Sequence, residues 1–398
     1  MTPVSLRVGN ENNYPQHLNT HTHSLTHFLT AHTLVRTPLS IEWTPFDAIL
    51  QHLPTSTALA GVPSVGSGDT SGVAAAAAAA AKAPLVVLTI GSDLSLEQEG
   101  RDRTSIDFSD GQKALIAAVT AAAVGPVVAL VFSGGAMDVS ILLNNPKIVG
   151  VLICGQPSVA VVGAGDVLFG ATLEGRPVAP AARMSQMTYN ADFTQRTSIT
   201  DFTMRPSAPG SATFNPGRTY RFYTGVPVLP FGYGLSYTTW AYTPIPDPHP
   251  PKSGVPSPAA TLTTSVDLSA VEAAALAHAA VGPIGHIPKG LQAYAANFWV
   301  NVTNTGAVDS DDVVLGFLTP PGAGTNGVPL QELFGFERVF VPAGQTVAVY
   351  LGAQGVRFTQ AGEDGVRRVL RGEYTVTFGV HETAVHGMGF AQLKINAV

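Results

Sequence analysis

The chain has 398 residues, 45% of them hydrophobic and only 12% charged, with 41 Gly and 30 Pro. That length holds two or three domains with a sizeable core, and the composition suits compact, loop-rich domains rather than a coiled coil or a disordered tail. A formal net charge of -6 without a basic stripe argues against nucleic acid as a partner, and the single cysteine, Cys154, excludes an internal disulfide.

The start, "MTPVSLRVGN", has no charged n-region followed by an apolar h-region, so no signal peptide is visible and the compartment stays open. Five of the 11 histidines fall in "QHLNTHTHSLTHFLTAH", where Thr, His and Leu recur without a helical or strand period. His21, His23 and His27 are of the residue type that ligates metal. The composition reads instead as a low-complexity leader over 1–40, disordered and without a packed core, and no metal site is expected.

Order begins near residue 41. Ser71 is placed to cap a helix through the alanine block 74–81, and Pro84 stops it before a strand over 85–90. Ser109-Asp110-Gly111-Gln112 has capping-box spacing and opens a helix from Lys113 to Val124. A strand Val127 to Phe132, a Gly134-Gly135 turn, a short helix to Asn144, a strand Ile148 to Ile153 and a helix 159–169 ending at Gly170 follow. The strands are continuously apolar rather than alternating, as when helices cover both faces, so the segment 41–243 predicts a mostly parallel sheet sandwiched by helices. Residues 114–132 carry no charge over nineteen residues, yet Gly125-Pro126 splits them. They read as core, as does 73–91 with Lys82 and Pro84, and no membrane partner is expected.

"PIPDPHPPKSGVPSP" (244–258) reads as an extended proline-rich linker, with irregular chain to about 289. From 290 to 398 the grammar is β. "FWVNVTNTG", "DVVLGFL", "ERVFVPAGQTVAVYL" and "GEYTVTFGV" are strands at regular spacing, which suggests an all-β sandwich of the fibronectin type III sort. Asn301-Val302-Thr303 is a glycosylation sequon inside one of these strands and reads as structural.

Charge is concentrated in "GSDLSLEQEGRDRTSIDF" (91–108), where seven of eighteen residues are charged. In open α/β sheets ligands gather beyond the carboxyl ends of strands, and this loop leaves a strand at that end. It offers four carboxylates and two arginines over 91–103, which would repel a dinucleotide. "GAGDVLFG" (163–170) has the wrong glycine spacing for one, and Ser133 lacks the frame of a nucleophile elbow. No cofactor is expected. Carboxylates at a strand end suit glycoside hydrolysis, in which one protonates the leaving oxygen and a second, about 5 Å away in retaining enzymes, attacks the anomeric carbon. Glu97 and Glu99 would stand about 6.6 Å apart along an extended loop and nothing aims them at one sugar. Glu99 and Asp102 could equally pair with Arg101 or Arg103 and stiffen the loop.

The loop, "PVVALVFSGGAMDVS", "PKIVGVLICGQPS", "VLFG", "NPGRTYRFYTGVPVLPFGYGLSYT" and "ELFGFERVFVPAGQT" follow one another as in family 3 glycoside hydrolases, and resemble most the β-xylosidase and α-arabinofuranosidase branch. "TPFDAIL" (44–50) resembles the segment ahead of that family's α/β domain. The resemblance implies hydrolysis of β-xylosidic bonds in xylo-oligosaccharides, in enzymes that are typically extracellular. It makes Glu97 the general acid/base, with Glu99 the alternative and Asp102 and Arg103 in support. The nucleophile it implies belongs to a preceding (β/α)8 barrel. A barrel needs about 250 residues and only 84 precede Leu85, so no nucleophile is expected here, the barrel is the natural intramolecular partner, and the chain alone is expected to be inactive. A non-catalytic carbohydrate-binding or scaffold protein derived from such an enzyme is the alternative. The chain departs from the branch at Pro157-Ser158-Val159, where Pro-Gly-Glu is usual, and after Gly175-Arg176.

Overall fold

The computed structural model describes residues 27–30, 43–208, 210–211, 214–248, 262–281, 287, 289–362, 364–380 and 387–398. They divide into two compact units: one reaching to Phe202 and adding Val226–Ser236, the other made of Thr203–Gly225 and Tyr237–Val398. The boundary is thus interleaved, where a continuous block over 41–243 was expected. Local bonds explain why 203–225 goes with the second unit: Arg205 Nε donates to Gly327 O and the Leu330 amide to Arg221 O.

The first unit is built on five parallel strands, β1 (His27–Thr30), β2 (Thr57–Ala60), β3 (Val86–Gly91), β4 (Val127–Phe132) and β5 (Ile148–Gly155), in the order β2-β1-β3-β4-β5. All six residues of β3 are buried, as its continuous apolar run requires. The helices are α1 (Pro45–Leu50), α2 (Val73–Ala80), α3 (Asp110–Ala122), α4 (Ser140–Leu143) and α5 (Val162–Phe169). Gly170 closes α5 with left-handed backbone. A two-residue hairpin, β6 (Thr172–Leu173) with β7 (Arg176–Pro177), and the turn α6 (Phe193–Arg196) follow.

Three expectations are corrected here. A leader disordered through residue 40 does not hold for His27–Thr30, which form β1 and pair with both β2 and β3. Parallel backbone pairing on two sides makes a strand of four residues that carry no strand period of their own. His21 and His23 lie outside the described residues. Ser71 does not cap α2, whose N-cap is Gly72 without a side-chain bond; the Ser71 amide is turned instead to Asp69 Oδ1. Ser109 does cap α3, accepting from the Gln112 amide, but the Gln112 side chain is spent elsewhere, so the reciprocal half of a capping box is missing.

In the second unit α7 (Thr219–Phe222) precedes β8 (Trp240–Ile245), β9 (Ser265–Val266), α8 (Ser269–Val281), α9 (Lys289–Gln292), β10 (Tyr294–Asn304) and β11 (Ser310–Thr319). Then come β12 (Glu332–Val341), β13 (Thr346–Gln354), β14 (Thr359–Ala361), β15 (Arg367–Val369), β16 (Gly372–Gly379) and β17 (Phe390–Ala397). They form a three-stranded sheet, β13-β10-β8, and a five-stranded one, β12-β11-β16-β17-β9, beside the small β14-β15 pair. Phe298 and Val300 of the first sheet and Val314, Val376 and Phe378 of the second share one buried cluster. The expectation of irregular chain over 244–289 is corrected by α8 and β9, because "SAVEAAALAHAAV" is rich in the residue with the best helix propensity. Residues 249–261, most of the proline-rich stretch, lie outside the described residues. Among the described residues no helix is long and apolar enough to cross a membrane.

Candidate active site

The charged loop leaves β3 at its carboxyl end, and its departure is fixed by a clamp. Gln112, completely buried on α3, accepts from the Gly91 amide through Oε1 at 2.9 Å and donates through Nε2 to Gly91 O at 3.0 Å and Val65 O at 2.8 Å. Gly91 has φ +147°, and a Cβ there would lie 1.7 Å from Phe132 O of the neighbouring strand. Only glycine fits this approach.

One residue on, Ser92 stands beside Ser133, the first residue after β4, with their hydroxyls 2.7 Å apart. Ser92 Oγ also donates to Glu97 Oε1 at 2.8 Å, and Ser133 Oγ to Gly135 O at 2.7 Å. The chain returns to place Glu97 here through a turn in which the Leu96 and Glu97 amides donate to Asp93 O, and Asp93 Oδ1 accepts from the Ser95 amide. The second carboxylate oxygen, Oε2, lies 2.7 Å from Arg103 Nε. Arg103 is 11% exposed and Glu97 27%, so the pair is sheltered without being sealed. Arg103 Nη2 donates to Ala136 O at 3.1 Å, which fastens this pair to the loop after β4. Its Nη1 is buried without an acceptor among the described residues. The absence of a side chain at Gly135 makes the room, since a Cβ there would meet Arg103 Nη2 at 2.7 Å.

The other charged residues of the loop do not converge on this point. Gln98 and Arg101 close a tight turn by two backbone bonds, with Glu99 and Gly100 at its exposed tip and Gly100 at φ +77°. Arg101 Nη1 donates to Ser95 O. Glu99 and Asp102 are exposed and make no hydrogen bond or ion pair with the described residues. The pairing of Glu99 and Asp102 with Arg101 or Arg103 is therefore corrected: the arginine that takes a carboxylate is Arg103, and the carboxylate is Glu97. A turn centred on Glu99 and Gly100 carries the former outward and brings residues 97 and 103 to the same side.

Ser92, Ser133, Gln112 and Gly135 were not singled out as site residues from sequence. The signal for the two serines was position: each follows directly on one of two adjacent parallel strands, where ligands gather. Among the described residues no cluster of three or more His, Cys, Asp or Glu could hold a metal ion.

The family description "Glycosyl hydrolase family 3 C-terminal domain" matches residues 9–237. The chain is 33% identical over 329 residues to Beta-D-xylosidase 1 of Arabidopsis thaliana, covering 80% of this chain and 39% of that protein. It is 34% identical over 326 residues to a probable exo-1,4-beta-xylosidase, bxlB, of Aspergillus fumigatus, covering 80% of this chain and 37% of that one. It thus spans about two-fifths of the length of the curated relatives it matches. Among solved structures, a GH3 exo-beta-xylosidase (XlnD) bound to a xylobiose aziridine probe superposes with a TM-score of 0.78 at 24% identity, over 99% of this chain and 47% of that one. A beta-glucosidase from Listeria innocua in complex with isofagomine gives 0.67 at 16% identity, over 99% and 48%.

Proposed function

The chain belongs to glycosyl hydrolase family 3, and from that membership we propose that its first unit supplies the acid/base carboxylate, Glu97, for hydrolysis of β-xylosides. The observation that carries this is the fixing of both Glu97 oxygens, by Ser92 and by Arg103, beyond the carboxyl end of a buried parallel strand. An acid/base must serve in two protonation states, and the serine pair can bond Glu97 in each, with every contact filled only when Glu97 carries the proton. With Glu97 ionised, two hydroxyl protons serve three short contacts. With Glu97 protonated, a relay from Glu97 to Ser92 to Ser133 to Gly135 O fills all three.

A retaining reaction also needs a carboxylate nucleophile about 5 Å from the acid. The side chains bonded to Glu97 are a serine and an arginine. No carboxylate among the described residues is bonded to Glu97, which supports placing the nucleophile on a barrel of the kind the resemblance implies and reading the chain alone as inactive. Glu99 is the weaker candidate, since nothing orients it.

The two units are read as an α/β sandwich domain and a fibronectin type III-like domain. Support for the latter comes from Tyr374, fully buried near the start of β16, whose hydroxyl donates to Leu370 O four residues upstream at 2.8 Å, the bond of a tyrosine corner. The test is hydrolysis of an aryl β-xyloside by the 398-residue chain and by its fusion to a family 3 barrel. Activity in the fusion alone is the expected result. Turnover by the chain alone would overturn the division of catalytic groups, and a folded fusion without activity would favour the non-catalytic, carbohydrate-binding reading.

A further inference from the structure

In the second unit three guanidiniums share one cavity. Arg205, Arg221 and Arg367 line a space of about 430 Å³ with Phe222, Glu332 and Gln360. The carboxylate in this lining is already divided: Glu332 Oε1 lies 3.0 Å from Arg221 Nη2 and 3.6 Å from Arg357 Nη1. Arg205 is held by its Nε on Gly327 O at 3.1 Å and by its guanidinium 5.5 Å from the centroid of the Phe222 ring. Its two terminal nitrogens have no acceptor among the described residues. Arg221 lies over the same ring at 5.1 Å, and its Nε is buried without an acceptor. Arg367 gives one nitrogen to Thr359 Oγ1 at 3.2 Å.

Like charges gathered in a partly sheltered space repel, and a shared carboxylate does not neutralise them. Stacking on Phe222 and a backbone carbonyl hold Arg205 in place while leaving the edge of its planar fork open, the arrangement that takes a carboxylate through two parallel bonds. The space is far larger than a bare oxyanion needs. Its walls also include Met204 and Ala361, apolar surface that suits the C–H face of a sugar ring, and Gln360, whose Nε2 is held by Gly327 O at 3.1 Å while its Oε1 accepts from none of the described residues and suits a sugar hydroxyl.

We propose that this cavity binds a sugar acid, with the ring carboxylate of a uronate seated between Arg205 and Arg367. The inference rests on the carbohydrate reading above for the sugar, and on the cavity itself for the charge.

The test is calorimetric titration of the 398-residue chain with D-glucuronate, with D-xylose and inorganic phosphate as comparators. Saturable glucuronate binding is expected, weakened about tenfold or more by Arg205→Gln or Arg367→Gln, as loss of a charged hydrogen bond predicts. Glu332→Gln removes the resident carboxylate, so glucuronate should raise the Tm of that variant more than that of the parent. Binding indifferent to both arginine substitutions would overturn the site. Phosphate binding as tight as glucuronate would overturn the sugar-acid assignment. A barrel fusion that hydrolyses an aryl β-xyloside while the chain ignores glucuronate would sink this inference and leave the acid/base assignment standing.

Discussion

Arg103 Nε lies 2.7 Å from Glu97 Oε2, and the same guanidinium reaches across to Ala136 O. One side chain therefore joins the carboxylate to the loop beyond the next strand. Arg103→Ala should lower kcat of a barrel fusion at least tenfold while costing roughly 1–2 kcal/mol of stability, as removal of a half-sheltered ion pair does. Arg103→Lys keeps the charge but loses the planar fork, and should fall between the two. Paired urea melts and steady-state rates check this.

Gln112 is a second, purely structural dependency. It is completely buried and its amide makes three bonds to Gly91 and Val65. Gln112→Leu keeps the volume but strands the Gly91 amide and two carbonyls, at a cost of about 2–4 kcal/mol. Equilibrium unfolding of the chain measures it, and a change below 0.5 kcal/mol, the range of ordinary surface substitutions, would show that the loop is anchored otherwise.

Gly91→Ala should be worse. A methyl placed 1.7 Å from Phe132 O on backbone at φ +147° requires the ends of β3 and β4 to part. We expect a loss of about 3 kcal/mol or more, or an insoluble protein. A variant with unchanged Tm would refute the close approach of the two strands.

Cys154 tests the core of the first unit. It is 2% exposed, and burial pushes its thiol up to about 12. Since the thiolate is the nucleophile, iodoacetamide at pH 8 should leave Cys154 unmodified in the folded chain and alkylate it fully in urea, read by mass spectrometry. Rapid labelling of the native chain would contradict the packing of β5.

How much of this was legible in the sequence depended on what sets each feature. Strands β3, β4 and β5 were readable because strands buried over most of their length require nearly continuous apolar runs. Strand β1 was not, because "HFLT" becomes a strand only through partners on both sides. Strand β2, Thr57-Ala58-Leu59-Ala60, was not readable either, being short, exposed along its four residues and without β-branched residues beyond Thr57. Helix α8 follows a run of prolines that signals irregular chain, although its own alanine-rich residues have high helical propensity. In the site, concentration of charge located the loop and the family resemblance singled out Glu97. The resemblance put Arg103 in support, but its direct pairing with Glu97 was not readable from the residues, since loop spacing does not fix which charges meet until the turn at Glu99 and Gly100 is known. Ser133 lacks the frame of a nucleophile elbow, and its sequence context gives no sign that its hydroxyl joins the Glu97 network.

The central claim, that Glu97 is the acid/base and Glu99 is not, is tested most directly by leaving-group dependence in a barrel fusion. Glu97→Gln should slow xylosides with poor leaving groups far more than activated aryl xylosides, because only the former need protonation of the departing oxygen, by about 10²–10⁴-fold for general-acid catalysis. Added azide should partly restore turnover of the activated substrates, since an anion can attack the glycosyl-enzyme without a general base. Glu99→Gln should leave both classes near the parent rate. If Glu99→Gln instead gave the leaving-group signature and azide rescue while Glu97→Gln did not, the assignment would be contradicted.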